Sequence, residues 1–205
     1  DKLRVAQVEV GKKDIRTIVC GAPNIAEGQH VVVALPGVKL PGGIEIKVAK
    51  LRGVESNGMI CSAKELGLGD DHTGILVLDT DAPVGASFVK WAGLDDTIIE
   101  VKILPDRGSD ALAYQGMARE IAALDGYAPS FGDKTQKPVK VPTPNRASKV
   151  IIGDKVGCPR YAGLFLRGVT VGPSPLWLQV RLIVSGLRPI NNIVDVTNYF
   201  MLLTG

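Results

Sequence analysis

The stretch from Cys20 to Ser62, CGAPNIAEGQHVVVALPGVKLPGGIEIKVAKLRGVESNGMICS, constrains the fold more than any other. It holds two apolar runs with β-branched content, His30–Leu35 and Ile44–Leu51, each bounded by glycine or proline. That pattern reads as strands separated by turns. Pro41-Gly42-Gly43 supplies a turn that only glycine makes cheaply at positive φ. Gly53 and Gly58 break the following segment and allow a bulge or a close backbone approach. Lys39, Lys47, Lys50 and Arg52 load this small β unit with positive charge, against Glu45 and Glu55. Strict alternation places Lys47 and Lys50 on opposite faces unless a bulge intervenes.

The flanking segments extend the same theme. Leu3–Val10 and Ile15–Val19 read as two strands joined by a turn at Gly11-Lys12-Lys13-Asp14. Ser62–Leu66 reads as one helical turn capped by Ser62. Ile75–Leu78 reads as a further short strand that closes a barrel, and Val84–Leu94 as a short helix ended by Gly93. Short, Gly-punctuated strands with basic surface residues fit a small β-barrel of the OB type.

Beyond residue 93 the pattern changes. Thr97–Leu104 reads as a strand and Pro105-Asp106-Arg107-Gly108 as a turn. Ser109 caps a predicted helix over 110–124, with Ala113, Met117, Ile121 and Leu124 on one face. Residues 125–148 have the glycine, proline and charge of a linker. Lys149–Gly153 and Arg160–Val171 read as strands. Ser174 and Pro175 open a helix that runs to Ser185 and covers its core with Leu178, Arg181, Leu182 and Trp177. Gly186 stops it. Asn192 caps a last helix through Leu203. The expected fold class is mixed β and α/β: an OB-fold β-barrel, then a small α/β segment, then the start of an α+β domain. The expected boundaries are 1–93, 94–148 and 149–205.

Composition narrows the function. The 205 residues are 45% hydrophobic and 22% charged, ordinary for a globular chain. No apolar run approaches the roughly 18–20 residues of a membrane helix, and the strand-like opening Asp-Lys-Leu-Arg leads us to expect no signal peptide. Cys20, Cys61 and Cys158 form no CxxC pair, so they read as reduced core or near-core thiols of a cytosolic protein. With only two histidines, His30 and His72, a His-based metal site is not expected. Net charge is +3 but uneven. Residues 1–93 carry 11 basic and 11 acidic side chains, whereas 134–188 carry ten basic residues against Asp154 alone. Such asymmetry suits a polyanionic partner. A solvated basic linker is the competing reading.

No complete catalytic constellation, P-loop or dinucleotide fingerprint is present. The candidate RNA contacts are Lys47, Lys50, Arg52 and Lys64, with Ser56, Asn57 and Ser62 as polar donors; each lysine also reads as plain surface charge. The barrel offers only Phe88 and Trp91 as aromatics. Backbone contact with folded RNA therefore fits better than stacking on single-stranded bases.

The stretch KLRGVESNGMICSAKELGL, with GAPN before it, resembles the OB-type tRNA-binding domain of synthetases and free tRNA-binding proteins. Its version here resembles the bacterial phenylalanyl-tRNA synthetase β-subunit family. A second segment, Gly186-Leu187-Arg188-Pro189-Ile190-Asn191-Asn192 followed by Asp195-Val196-Thr197-Asn198-Tyr199, resembles the same family at the start of its B3/B4 editing domain. The family pattern has Pro-Asn-Arg where this chain has Asp106, and its helix glycine is expected one residue before Gly116.

The resemblance implies tRNA(Phe) binding through the barrel and hydrolytic clearance of Tyr-charged tRNA, with Asn198 in the editing site. Asn198 reads otherwise as a helix residue with a structural hydrogen bond. The resemblance also implies phenylalanine–tRNA ligase activity on an α subunit using ATP and Mg²⁺, with no cofactor in this chain. It implies a heterotetramer of two α and two β subunits, a cytoplasmic location and no membrane contact. On the same resemblance, a first strand is expected before Asp1, and an editing histidine in a Gln-Pro-x-His segment beyond Gly205. The alternative is a free-standing, non-enzymatic tRNA-binding protein. The Arg188–Tyr199 segment argues against it.

Overall fold

The computed structural model describes residues 3–131, 150–163 and 166–205. The chain divides into two compact units, Asp1–Lys102 with Pro173–Met201, and Ile103–Gly172 with Leu202–Gly205.

In the first unit, β1 (Arg4–Glu9) and β2 (Ile15–Cys20) form an antiparallel hairpin with Arg4 opposite Cys20 and Glu9 opposite Ile15. The expected turn closes it, with the Val10 N–H donating to the Asp14 carbonyl at 2.9 Å. The run His30–Leu35 is two strands rather than one. β3 (His30–Val31) and β4 (Val33–Ala34) separate at buried Val32 because they turn to different partners. From Ile44–Leu51 only β5 (Ala49–Leu51) is strand, paired with β6 (Val54–Ser56); Lys39 and Glu45 make an isolated bridge. β7 (Met59–Ile60) pairs with β4, and β8 (Val77–Leu78) pairs with β3.

All these ladders are antiparallel, and they form four two-stranded sheets. Single hydrogen bonds stitch them together. The Asn57 N–H reaches the Thr17 carbonyl at 2.8 Å, the Cys61 N–H the Val32 carbonyl at 2.9 Å, and the Leu76 N–H the Cys61 carbonyl at 2.9 Å. Two apolar clusters fill the interior, one of Ile18, Cys20, Ile60 and Ile75, the other of Ala34, Leu40, Ile46 and Cys61.

Gly58 has the close approach expected of it. At φ +147° a Cβ there would lie 2.9 Å from the Ala34 carbonyl oxygen. Asn24 adds a joint invisible in the pattern: its amide donates to the Ile75 carbonyl and accepts from the Ile75 N–H, both at 2.9 Å. One side chain thus replaces a pair of ladder bonds. Of the helix expected over Val84–Leu94 only α1 (Phe88–Trp91), ahead of Gly93, is helical.

Thr97–Leu104 forms no strand. Ile98, Ile99, Val101 and Leu104 are exposed, and no ladder partner meets them among the described residues. A β-like sequence stays an unpaired extended chain without a neighbour to bond.

In the second unit the helix starts later than expected. Pro105–Arg107 make a 3-10 turn, and α2 spans Tyr114–Asp125 with no side-chain cap. Ser109 does not cap it. Arg107 organises this corner instead, reaching Asp110 at 2.9 Å and Glu120 at 2.6 Å. Gly116 is required where it stands, since a Cβ there would collide with the Asp110 carbonyl. The described parts of 150–153 and 160–171 contain no strand; Ile151, Tyr161, Leu166 and Val171 are exposed. The linker reading over 132–148, with Lys149, falls outside the described residues.

α3 (Leu176–Val184) starts one residue after Pro175, and Ser174 does not cap it because its hydroxyl is engaged elsewhere. Its buried residues are Leu178, Val180 and Leu182; Trp177 and Arg181 are exposed, contrary to the expected core stripe. Gly186 ends it as expected. α4 (Asn192–Thr204) is capped by Asn191 rather than Asn192: the Asn191 Oδ1 accepts the N–H groups of Ile193 and Val194, both at 3.0 Å.

Candidate functional site

The candidate RNA contacts separate into three groups. Lys50 and Arg52 stand on the β5–β6 hairpin, whose β5 residues are all exposed. Its two-residue turn, Arg52-Gly53, has φ of 48° and 86°. Positive φ at both central positions is the type I′ geometry that suits the twist of a tight hairpin. Lys47 lies just ahead of β5 and pairs with Glu45 at 3.2 Å, both ends well exposed. Lys50 sits directly across from Glu55. Exposed pairs of this kind hold weakly, so phosphates can compete for the lysines.

Asn57 forms the second group with Ser56. The Asn57 amide donates to Glu55 at 3.3 Å and remains half-exposed. Ser56 is buried. Its hydroxyl accepts the Val19 N–H at 3.0 Å and donates to the Gly58 carbonyl at 3.0 Å. It ties β2 to β6, and both bonds of its hydroxyl are made inside the protein.

Ser62 and Lys64 belong to the turn after β7. Ser62 is buried, and with Glu65 it makes a reciprocal capping box. The Ser62 N–H and hydroxyl donate to Glu65 Oε2 at 2.5 and 2.7 Å, and the Glu65 N–H returns to the Ser62 Oγ at 3.4 Å. Ser62 therefore caps this turn, as expected, and its hydroxyl is engaged there. Lys64 is exposed, and its N–H bonds to the Asp71 carbonyl at 3.0 Å, which sets it beside acidic residues. Asp71 itself is held below the usual carboxylate range by the Thr73 N–H and hydroxyl.

Cys20 and Cys61 are buried free thiols and Cys158 is half-buried. Burial, with Glu65 close by, pushes the Cys61 thiol up to about 11, so it stays protonated and a poor nucleophile near neutral pH. Among the described residues no cluster of three His, Cys, Asp or Glu side chains could hold a metal ion, and no helix is long and apolar enough to cross a membrane.

Asn198 lies on α4, half-buried, and among the described residues no hydrogen bond engages its amide. One helical turn earlier stands a residue whose role the sequence reading missed. Asp195 is fully buried, the one charged side chain so placed among the described residues. Its Oδ2 accepts the Ser174 hydroxyl at 2.5 Å, and its Oδ1 accepts the Ile190 N–H at 2.8 Å. Both carboxylate oxygens are thus engaged, as a buried charge requires. The sequence signal was a single acid between Val194 and Val196, in a helix with no other charged residue. Further along α4, the Tyr199 ring meets Trp177 edge-to-face at 5.7 Å.

Comparison with known proteins bears on both regions. Residues 1–87 match the family model described as "Putative tRNA binding domain", and residues 157–205 match the B3/4 domain model. The phenylalanine–tRNA ligase beta subunit of Dechloromonas aromatica is 47% identical over 206 residues, covering 100% of this chain and 25% of that protein. That of Aromatoleum aromaticum is 48% identical over 206 residues, with the same coverage of both chains. That of Geobacillus kaustophilus is 44% identical over 211 residues, covering 100% of this chain and 26% of that protein. The chain belongs to the phenylalanine–tRNA ligase beta-subunit family. It spans about a quarter of the length of the curated relatives it matches. The B3/4 match at 157–205 counts against a free-standing tRNA-binding barrel, and membership bears out the resemblance carried by the KLRGVESNGMICS and DVTNY segments.

Proposed function

We propose that this chain serves a phenylalanine–tRNA ligase, binding tRNA(Phe) through an OB-type barrel over residues 1–93 and contributing to a hydrolytic editing site within 149–205, with 94–148 between them. Aminoacylation, with ATP and Mg²⁺, belongs to an α subunit, in an assembly of two α and two β subunits in the cytoplasm. No residue of this chain is assigned to ATP or the metal. The observation that carries the reading is identity of 44–48% along the chain to several ligase beta subunits.

Editing answers a limit of recognition. An apolar pocket shaped for phenylalanine cannot strongly reject the same ring with one added hydroxyl, so a second site must hydrolyse the error. Hydrolysis of the ester between tyrosine and tRNA gathers negative charge on the carbonyl oxygen. A fixed amide N–H can stabilise that charge, or hold the attacking water. Asn198 suits either role, since its amide is half-buried, has no hydrogen bond among the described residues, and stands on a helix fixed by Asp195.

The test is deacylation of pre-charged Tyr-tRNA(Phe) by the intact ligase. Asn198→Ala should slow clearance by up to about 10²–10³-fold, the cost of one such donor, while Phe charging is unchanged. Equal clearance by both enzymes reduces Asn198 to a structural residue. Loss of charging together with clearance signals misfolding.

A further inference from the structure

We infer that Asp195 is the positioning residue of this site: it fixes the first turn of α4 so that the Asn198 amide meets the aminoacyl ester. The inference rests on the editing reading of Asn198 and adds the device that aims it.

The geometry is a three-way staple. Ser174 precedes α3, Ile190 precedes α4, and Asp195 stands inside α4. The Asp195 carboxylate holds the first two through separate oxygens, at 2.5 Å to the Ser174 hydroxyl and 2.8 Å to the Ile190 N–H. The Asp195 N–H also closes the first helical turn on the Asn191 carbonyl at 2.8 Å. Three segments are thereby joined at one fully buried point. Charge-assisted hydrogen bonds are the strong kind, and a buried charge with both oxygens engaged is costly to move.

Asn198 is three residues on, which on a helix puts it on the same face with its Cβ about 5–6 Å away. Rotation or sliding of the first turn of α4 therefore carries Asn198 with it. The Trp177–Tyr199 ring contact at 5.7 Å holds the adjacent position on the same two elements. Nothing comparable holds the Asn198 amide itself among the described residues, so its aim comes from the backbone beneath it. Donors that stabilise a transition state act only when placed to within about 0.5 Å, and a shift of about 1 Å can cost about 100-fold.

The experiment compares four forms of the intact ligase, wild type, Ser174→Ala, Asn198→Ala and the double variant, in single-turnover deacylation of Tyr-tRNA(Phe). Ser174→Ala unlatches one carboxylate oxygen and leaves the charge in place. It should lower the maximal clearance rate about 10- to 100-fold with the half-saturating tRNA concentration unchanged. In the Asn198→Ala background it should lower the rate no further, since a positioning residue has nothing left to aim. Asp195→Asn keeps the shape and can still bridge Ser174 and Ile190, so it should retain more clearance than Ser174→Ala. Phe charging reports folding throughout. If Asn198→Ala is slow but Ser174→Ala clears normally, or the two losses multiply, the positioning role is overturned and the editing reading stands. If Asn198→Ala clears normally, the editing reading of Asn198 fails and the staple loses its object.

Discussion

At the scale of single residues, the hydroxyls and carboxylates divide by burial, not by type. Ser56, Ser62 and Ser174 are all buried and all spend their hydroxyls inside the protein. The lysines of the same region stand in water. Ser62 tests the division. Ser62→Ala removes the capping box and should lower stability by about 1 kcal/mol, typical of a lost N-cap. Urea unfolding should show the loss while the dependence of RNA affinity on salt keeps its slope. A change of slope would return Ser62 to the RNA surface. The Ser-x-x-Glu spacing made the cap legible, whereas burial of Ser56 depends on the approach of β2, some forty residues earlier in the chain. Asp195 was legible only as the one charged residue of its helix, set between two valines; its partners, 21 residues before it and five before it, appear only once the chain is folded.

At the scale of elements, the sequence was most informative where a segment pairs with its neighbour. The β1–β2 hairpin, the Ser62 turn and the glycines that follow α1 and α3 are legible from local residues. It was least informative where pairing is remote. The single run His30–Leu35 splits between β7 and β8, and Thr97–Leu104 finds no strand to pair with among the described residues. Apolar alternation reports a strand's willingness to pair and says nothing of whether a partner is present. The β5–β6 hairpin is where this matters for function. Its type I′ turn keeps Arg52 at φ 48°, so a test of its charges must respect that backbone. Lys47→Ala, Lys50→Ala and Arg52→Asn together remove three positive charges, and asparagine tolerates the left-handed conformation. If these side chains meet phosphates, log affinity plotted against log salt should lose about 0.7–0.9 of slope per contact. An unchanged slope in the triple variant removes the hairpin from the interface.

At the scale of the whole molecule, charge is segregated along the chain. Residues 1–93 are neutral in sum, while 134–188 carry ten basic residues against one acid. Within the first region, moreover, Lys47 and Lys50 already face Glu45 and Glu55. Binding energy drawn from phosphate contacts and counterion release depends on local charge rather than on the fold that presents it. Residues 1–93 would then supply shape and register, and much of the salt-dependent affinity would come from elsewhere in the chain. Changing Lys134, Lys137, Lys140, Arg146 and Lys149 to glutamine removes five charges in one stretch. With tRNA(Phe) and the full chain, this variant should lose more salt slope than the hairpin variant, up to about 3.5–4.5 in total if all five charges meet phosphate. The measurement is a salt titration of tRNA binding for both variants side by side. A slope equal to that of the unaltered chain would show that these charges are solvated and that the binding term resides in residues 1–93. Equal losses in the two variants would show that one polyanion spans both regions.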